Sequence, residues 1–161
     1  MEPRLDYRKI SPQGIGAFRH LQIYTDNCEL ERSLLELVKT RASQINGCAY
    51  CLDMHTKDAR ATGESEQRLY TLSAWRETPF FNGRERAALA WTEAVTEISR
   101  CPIDDALFAE LQRHFSEKEI VDLTLVIIAI NGWNRLAIPF RARVGDYQPK
   151  TAAAQSKERV P

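Results

Sequence analysis

The sequence lacks an excess of charge of either sign. Its 22 Lys and Arg residues are balanced by 22 Asp and Glu residues, so the formal net charge is zero. Proteins that bind nucleic-acid phosphates need a basic excess or a basic stripe, and we therefore expect no nucleic-acid partner. A chain with little net charge also has little self-repulsion to keep its copies apart, which permits a homo-oligomer.

Long apolar stretches are missing as well. The first ten residues carry five charged side chains and contain no apolar stretch of signal-peptide length. The longest apolar run, at 123–130, is shorter than the roughly 20 residues that a membrane-spanning helix needs. We therefore expect a cytoplasmic protein with no membrane partner.

Alternating apolar and polar residues, which are typical of half-buried strands, are scarce, whereas apolar residues at helical spacing recur along the chain. The 161 residues suffice for one domain that buries about 68–70% of the surface its unfolded chain would expose. We predict an all-α fold with a single helical domain at 1–147. The polar and small residues at 148–161 are typical of a disordered tail.

Capping residues, glycines and prolines predict about six helices. They follow an irregular lead-in, because Pro12, Gly14 and Gly16 interrupt the first two dozen residues. The predicted helices run over about 26–46, 48–61, 65–75, 83–99, 104–115 and 117–138. We expect Asn46-Gly47 to end the first of them and Pro139 to stop the last.

The last predicted helix is unusual in its composition. Its segment 123–130 is apolar all round, with a single threonine. A helix of that kind is buried on every side. In so short a chain, we expect the second buried face to be a subunit interface.

Two of the four cysteines, Cys48 and Cys51, form a C-x-x-C pair, and His55 follows four residues later. On a helix these three side chains lie on one stripe, three and four residues apart. A cysteine at a helix N-terminus or beside a histidine is more acidic than usual, and its thiolate is the reactive form. One cysteine oxidised to sulfenic acid can condense with the other and release water. The pattern therefore predicts a redox-active pair on an inward-facing helix surface.

Two other interpretations fit the same residues. The pair and His55 could be three ligands of a structural zinc ion in an interaction module without turnover, but such a site needs four ligands. The residues that could supply the fourth are Cys28, Cys101, His20 and His114. Alternatively, both cysteines are buried as small apolar residues. The spacing singles out no fourth ligand, so we assign no metal and no cofactor, and expect Cys28 and Cys101 to be buried and uninvolved.

The segment 36–60 resembles the core of the alkylhydroperoxidase D-like (AhpD-like) branch of the carboxymuconolactone decarboxylase superfamily. The resemblance rests on R-A-S-Q-I-N-G-C-A-Y-C at 41–51 and H-T-K-D-A-R at 55–60, and it is closest over a redox core at about 34–99. It implies an all-α protein that assembles as a homotrimer or homohexamer. The decarboxylase branch lacks the C-x-x-C pair, so an enzyme of decarboxylase type is the least favoured alternative.

The resemblance also implies roles for four residues in a thiol-dependent peroxidase or dithiol–disulfide oxidoreductase. Cys51 attacks the hydroperoxide and becomes the sulfenic acid, and Cys48 resolves it as a disulfide. Glu36 and His55 relay protons, and an external dithiol or adaptor protein reduces the disulfide. Position alone favours Cys48 as the more acidic thiol, because it lies at the helix start, whereas the resemblance assigns the attack to Cys51.

Three further positions are open to more than one interpretation. Tyr50 stands where the best-known members carry a histidine, and tyrosine is a poor base because its pKa is about 10. The proton relay is then shorter, or the peroxidase activity is weaker or directed at another substrate. Without the resemblance, Glu36 belongs to a solvated polar stripe and pairs with Arg32. Trp133 and Asn134 could line a cleft, although packing is the simpler explanation.

Overall fold

The structure, a computed structural model, describes residues 2–100 and 102–149. These residues form eight α helices and one 3₁₀ helix and contain no strand. The elements in chain order are α1 (Tyr7–Ile10), α2 (Pro12–Asp26), α3 (Arg32–Asn46), α4 (Ala49–Ala61), α5 (Glu66–Thr71), the 3₁₀ helix (Leu72–Glu77), α6 (Gly83–Thr96), α7 (Asp105–Gln112) and α8 (Glu117–Phe140). The predicted all-α class is confirmed, with more helices than the six expected. Cys101 and most of the predicted tail lie outside the described residues.

Three helices begin at the capping residues that the sequence contains. The Ser65 side chain accepts a hydrogen bond from the first turn of α5. Asn82 with Glu85, and Ser116 with Glu119, form reciprocal capping boxes at the starts of α6 and α8. Each box satisfies backbone N–H groups that the helix itself leaves without partners. The predicted starts of these helices are confirmed.

The end predicted for α3 at Asn46-Gly47 is also confirmed. Gly47 adopts a left-handed conformation with φ of 69°. Glycine adopts this conformation without the steric penalty that a Cβ imposes on other residues. Its N–H donates to Gln44 O at 3.2 Å, and the N–H of Cys48 donates to Ser43 O at 3.0 Å. These bonds satisfy the last carbonyls of α3, and the turn brings Cys48 to the start of α4.

The prediction of an irregular lead-in is wrong, because residues 12–26 form the helix α2. Pro12 occupies its first position, where the missing N–H and the fixed φ of proline suit a helix start. Phe18 packs edge-on against Trp133, with 4.7 Å between ring centroids. It also lies so close to Gly132 that a Cβ there would come within 2.3 Å of its ring. These contacts with α8 offset the low helix propensity of the two glycines in α2.

Other boundaries also differ from the prediction. The helix predicted at 65–75 is divided into α5 and the 3₁₀ helix, and α7 ends at Gln112 rather than near 115. α3 begins at Arg32 rather than near residue 26, because the residues up to Asp26 belong to α2. α6 ends at Thr96 rather than at 99. α8 continues through Pro139 to Phe140, since a proline in the last turn removes only one hydrogen bond from the helix.

α3 is the central helix of the fold. It packs against α4, α6 and α8. The largest apolar cluster joins α3 to α6, α7 and α8, and a second joins it to the 3₁₀ helix and α6. A third, smaller cluster joins α3, α4 and α8 and consists of Ala42, Cys48, Cys51, Ile130 and Ala137. The cysteine pair therefore lies where three helices meet.

The prediction that α8 is buried on every side is only partly right. Leu123, Val126 and Ile127 are buried, but Val121 is 58% exposed and Ile128 is 48% exposed. By length and composition alone α8 could cross a membrane, since its most apolar window has a mean hydropathy of 1.4. Its buried residues pack against α2, α3 and α6, so part of its apolar sequence belongs to the core.

Candidate active site

Cys48 and Cys51 occupy the first turn of α4. Cys48 is the N-cap residue, and its sulfur accepts a hydrogen bond from the N–H of Cys51 at 3.4 Å. The two sulfurs lie 2.6 Å apart, and each residue is only 1% exposed. Both cysteines are free, as is Cys28, which is half-buried and donates to Thr25 O. The structure therefore brings together the predicted pair, and it leaves Cys28 outside the thiol pair.

The two thiols differ in acidity. The hydrogen bond from the Cys51 thiol, helped by backbone N–H groups and the Asn134 side chain, outweighs burial and lowers the pKa of Cys48 to about 7. Donating that hydrogen bond, together with burial, raises the pKa of Cys51. Cys48 is therefore the more acidic of the two thiols, as its position at the helix start also favours.

Glu36 faces the interior from α3 and pairs with His55 of α4. Its Oε2 lies 2.8 Å from Nδ1 of His55, and the residue is 0% exposed. Its other oxygen, Oε1, lies 3.2 Å from Arg32 Nε and 3.7 Å from Lys39 Nζ. Burial raises the pKa of Glu36, but Lys39, His55 and Arg32 outweigh it and lower the pKa to about 2. The predicted pair of Glu36 with Arg32 is present, but Glu36 is buried and does not belong to a solvated polar stripe.

Beside this pair lies a second buried carboxylate, Asp58 of α4. The Tyr147 hydroxyl donates to Asp58 Oδ1 at 2.7 Å. Burial raises the pKa of Asp58 despite that hydrogen bond. Lys57 Nζ donates to Tyr147 O at 3.0 Å and holds the segment after α8 against α4. No motif in the sequence indicates this contact, because its partners are 89 residues apart.

Asn134 of α8 is fully buried and borders the thiol pair. It lies on the same face of α8 as Ile130 and Ala137, which pack against both cysteines. Its Nδ2 donates to Ser43 Oγ at 3.2 Å, and its Oδ1 accepts from Asn46 Nδ2 at 2.8 Å. Packing alone therefore does not describe Asn134, whereas Trp133 packs against Phe18 and donates to Gln22 Oε1 at 2.8 Å, on the side of α2.

The other side of the pair is covered by Tyr50 and the N-terminal helix. Tyr50 is half-buried and packs against the apolar cluster that contains both cysteines. Arg8 of α1 donates to the Tyr50 hydroxyl at 3.5 Å, and the Tyr7 ring packs against Phe140 with 5.6 Å between centroids. The position between the cysteines is therefore a contact point for α1.

The zinc interpretation can be compared with this geometry. In the described part of the chain, one group of three His, Cys, Asp or Glu residues brings its ligand atoms within 4.8 Å of one another: Glu36, His55 and Asp58. Neither cysteine belongs to it. Arg32 and Lys39 already neutralise Glu36 there. The described residues do not gather the cysteines and His55 into a tetrahedral site, and Cys101 lies outside them.

Known proteins share both the sequence and the fold. A family model described as the carboxymuconolactone decarboxylase family matches residues 12–94. The uncharacterised protein YdfG of Bacillus subtilis (strain 168) is 44% identical over 138 residues, which are 86% of this chain and 94% of YdfG. A protein of unknown function from Agrobacterium tumefaciens, described as a candidate antioxidant defence protein AhpD, is 44% identical in sequence. Its crystal structure superposes on this chain with a TM-score of 0.87, and the match covers 91% of this chain and 100% of that protein.

A more distant neighbour shows the fold alone. The crystal structure of the debrominase Bmp8 has a TM-score of 0.76 at 24% identity and covers 86% of this chain and 74% of its own. The chain belongs to the carboxymuconolactone decarboxylase family, and its fold is that of the AhpD-like branch.

Proposed function

We propose that the protein is a thiol-dependent peroxidase or dithiol–disulfide oxidoreductase that reduces hydroperoxides with Cys48 and Cys51. The observation that carries the proposal is the pair of free sulfurs, 2.6 Å apart and enclosed by α3, α4 and α8. A disulfide bond of about 2.05 Å can close from this separation with little backbone movement. The antioxidant description of the Agrobacterium tumefaciens relative supports the same activity.

In the proposed cycle, Cys51 attacks the terminal oxygen of the hydroperoxide. An S–O bond forms, the O–O bond breaks, and the alkoxide leaves as an alcohol after it takes up a proton. Cys48 then attacks the Cys51 sulfur, forms the disulfide and releases the hydroxyl group as water. Two thiols and one hydroperoxide yield one disulfide, one alcohol and one water.

This order of attack requires Cys51 to lose its proton. The nearest base is the Cys48 sulfur, which lies 2.6 Å away and belongs to the more acidic of the two thiols. We assign the exchange of protons between the thiols, the leaving alcohol and solvent to His55 and Glu36. Glu36 is ionised and can only accept, so Nδ1 of His55 donates to it, and Nε2 is the nitrogen that takes up and releases the relayed proton.

The cycle closes when an external dithiol or an adaptor protein reduces the disulfide with two electrons. Such reductants maintain thiols in the cytoplasm, and we place the protein there. A decarboxylase reaction on an organic acid would leave the thiol pair without a role, so it stays the less favoured function.

We also propose that the protein works as a homotrimer or homohexamer. The exposed Val121 and Ile128 leave apolar surface on α8, which is otherwise a core helix. The net charge of zero removes one obstacle to association. Light scattering at micromolar concentration should give a multiple of the 18.4 kDa chain mass, and a clean monomer would contradict this proposal.

The first experiment is a thiol count before and after one equivalent of cumene hydroperoxide. Trypsin releases both cysteines on one peptide, 42–57, and Cys28 on another. We expect the loss of two thiols and a mass decrease of about two hydrogens on peptide 42–57, as disulfide closure requires. Cys28→Ser is the matched control and should behave like the unchanged protein.

Turnover separates the enzyme from a redox-sensing module. With dithiothreitol as reductant, the enzyme should consume many equivalents of hydroperoxide. A disulfide that forms once and supports no turnover would favour a sensor, and two unchanged thiols would refute the redox pair altogether. Metal analysis of the same sample tests the zinc interpretation, which predicts one zinc per chain.

A further inference from the structure

Asn134 is a buried polar side chain in an apolar environment. It is 0% exposed, and its neighbours on the same helix face, Ile130 and Ala137, are apolar. Burying an amide without hydrogen-bond partners destabilises the folded state, so buried amides are almost always hydrogen-bonded. The partners of the Asn134 amide therefore indicate its role.

The orientation of the Asn134 amide follows from a chain of hydrogen bonds that begins at Asn131. The Ile127 carbonyl can only accept, and it lies 2.9 Å from Asn131 Nδ2. Arg135 can only donate, and its Nη1 lies 2.9 Å from Asn131 Oδ1. Both contacts fix Asn131 with Oδ1 toward Asn46, so the atom of Asn46 that lies 2.9 Å away must be its Nδ2 donor.

The same Nδ2 of Asn46 then faces Asn134. It lies 2.8 Å from Asn134 Oδ1, which leaves Nδ2 of Asn134 on the opposite side, toward Ser43. One N–H of that group donates to Ser43 Oγ at 3.2 Å. The Ser43 hydroxyl can accept, because its own proton is donated to Lys39 O at 2.8 Å. The Ser43 carbonyl in turn accepts from the N–H of Cys48 at 3.0 Å, so the Asn134 amide lies beside the thiol pair with a second N–H that no other described group accepts.

We propose that Asn134 stabilises the thiolate of the redox pair by donating a hydrogen bond from Nδ2 to the Cys48 and Cys51 sulfurs. This inference deepens the proposed function, because it names the group that holds negative charge on the pair in its reduced state. In support, the Asn134 side chain helps to lower the pKa of Cys48 and opposes the rise in the pKa of Cys51. An apolar pocket would otherwise raise the pKa of a buried cysteine and leave it unreactive.

The test compares two alanine variants of the same hydrogen-bond network. Asn134→Ala removes the amide that faces the sulfurs, whereas Asn131→Ala removes the amide one turn earlier, which faces Thr96 and Ile127. The readout is the pH dependence of iodoacetamide alkylation, followed by mass spectrometry of peptide 42–57. A purely structural role would not move the midpoint of this pH profile.

We expect Asn134→Ala to move the midpoint up by about one pH unit or more, and Asn131→Ala to leave it within about 0.3 units. Below both midpoints the thiolate fraction changes tenfold per pKa unit, so alkylation at pH 6 should slow about tenfold in Asn134→Ala. Asn134→Asp is the second variant, and it matches the asparagine in shape. It replaces the donor with an acceptor and should move the midpoint further in the same direction.

The two proposals fail in different ways. If both Asn134 variants keep the midpoint of the unsubstituted protein, Asn134 does not stabilise the thiolate, even if the unsubstituted protein reduces cumene hydroperoxide normally. An equal shift in Asn131→Ala would also overturn it, because the effect would then belong to the network as a whole. A shifted midpoint in a protein that never consumes hydroperoxide would retain the role of Asn134 and refute the peroxidase.

Discussion

Replacing Glu36 by glutamine should make the unfolding free energy of the protein less sensitive to acid. Glu36 is fully buried, and Lys39, His55 and Arg32 hold its pKa at about 2, below the ordinary value of 4.5. A carboxylate whose pKa is lowered in the folded state stabilises that state above its unfolded pKa. The stabilisation is lost as the pH falls toward the folded value.

The magnitude follows from the two pKa values. A difference of about 2.5 units corresponds to about 3 kcal/mol at neutral pH, and about 2 kcal/mol of this is already lost at pH 3. Glutamine does not titrate, so the gap in unfolding free energy between the unchanged protein and Glu36→Gln should narrow by about 2 kcal/mol between pH 6 and pH 3. Groups that titrate in both proteins and do not interact with Glu36 cancel in this difference.

Urea unfolding followed by tryptophan fluorescence measures the gap at each pH. Glu110→Gln is the control, since it removes an exposed carboxylate that pairs with Arg113 on α7. Such surface pairs contribute under about 1 kcal/mol, so the control should stay close to the unchanged protein throughout. A gap for Glu36→Gln that stays constant from pH 6 to pH 3 would refute the idea that Glu36 is ionised beside Arg32, Lys39 and His55.

Three other changes have definite expected outcomes. Cys51→Ser should abolish hydroperoxide turnover, whereas Cys48→Ser should consume one equivalent and yield a dimedone adduct at Cys51; an adduct on Cys48 in the Cys51→Ser protein, formed at the unchanged rate, would reverse the order of attack. Gly132→Ala should lower the unfolding free energy by about 1–3 kcal/mol, because the added Cβ would meet the Phe18 ring; urea denaturation checks this, and an unchanged midpoint would contradict the close packing. Tyr50→Phe should keep steady-state turnover within about twofold, because it keeps the ring that packs beside the cysteines and removes only the hydroxyl that accepts from Arg8; a tenfold loss would give Tyr50 a part in the chemistry.

The features that the sequence predicts correctly depend on neighbouring residues. Ser116 and Glu119 form a capping box from residues three apart, and Gly47 ends α3 through its own backbone conformation. Likewise, Cys51 and His55 share a helix face because they are four residues apart. In each case the determining residues lie within one or two helical turns, so periodicity and capping rules suffice.

The features that sequence reasoning misses depend on distant partners. Gly14 and Gly16 indicate an irregular segment, but contacts between α2 and α8 make this segment a helix. The polar residues of α3 indicate a solvated stripe, but Lys39 binds Asp26 at 2.6 Å and is itself buried. Periodicity cannot show this, because a polar residue exposed to water and one paired with a distant partner look alike in the sequence.

The same reasoning explains why the thiol pair depends on α3 and α8 as well as on its own helix. A C-x-x-C pair in an apolar cluster has raised thiol pKa values unless hydrogen-bond donors reach it. The first turn of α4 supplies only backbone N–H groups, so a side-chain donor must come from Asn134 of α8, whose amide is held by Ser43 of α3. The reactivity of Cys48 and Cys51 is therefore a property of the packed core, and a variant that loosens α8 should lose thiolate character before it loses its helices.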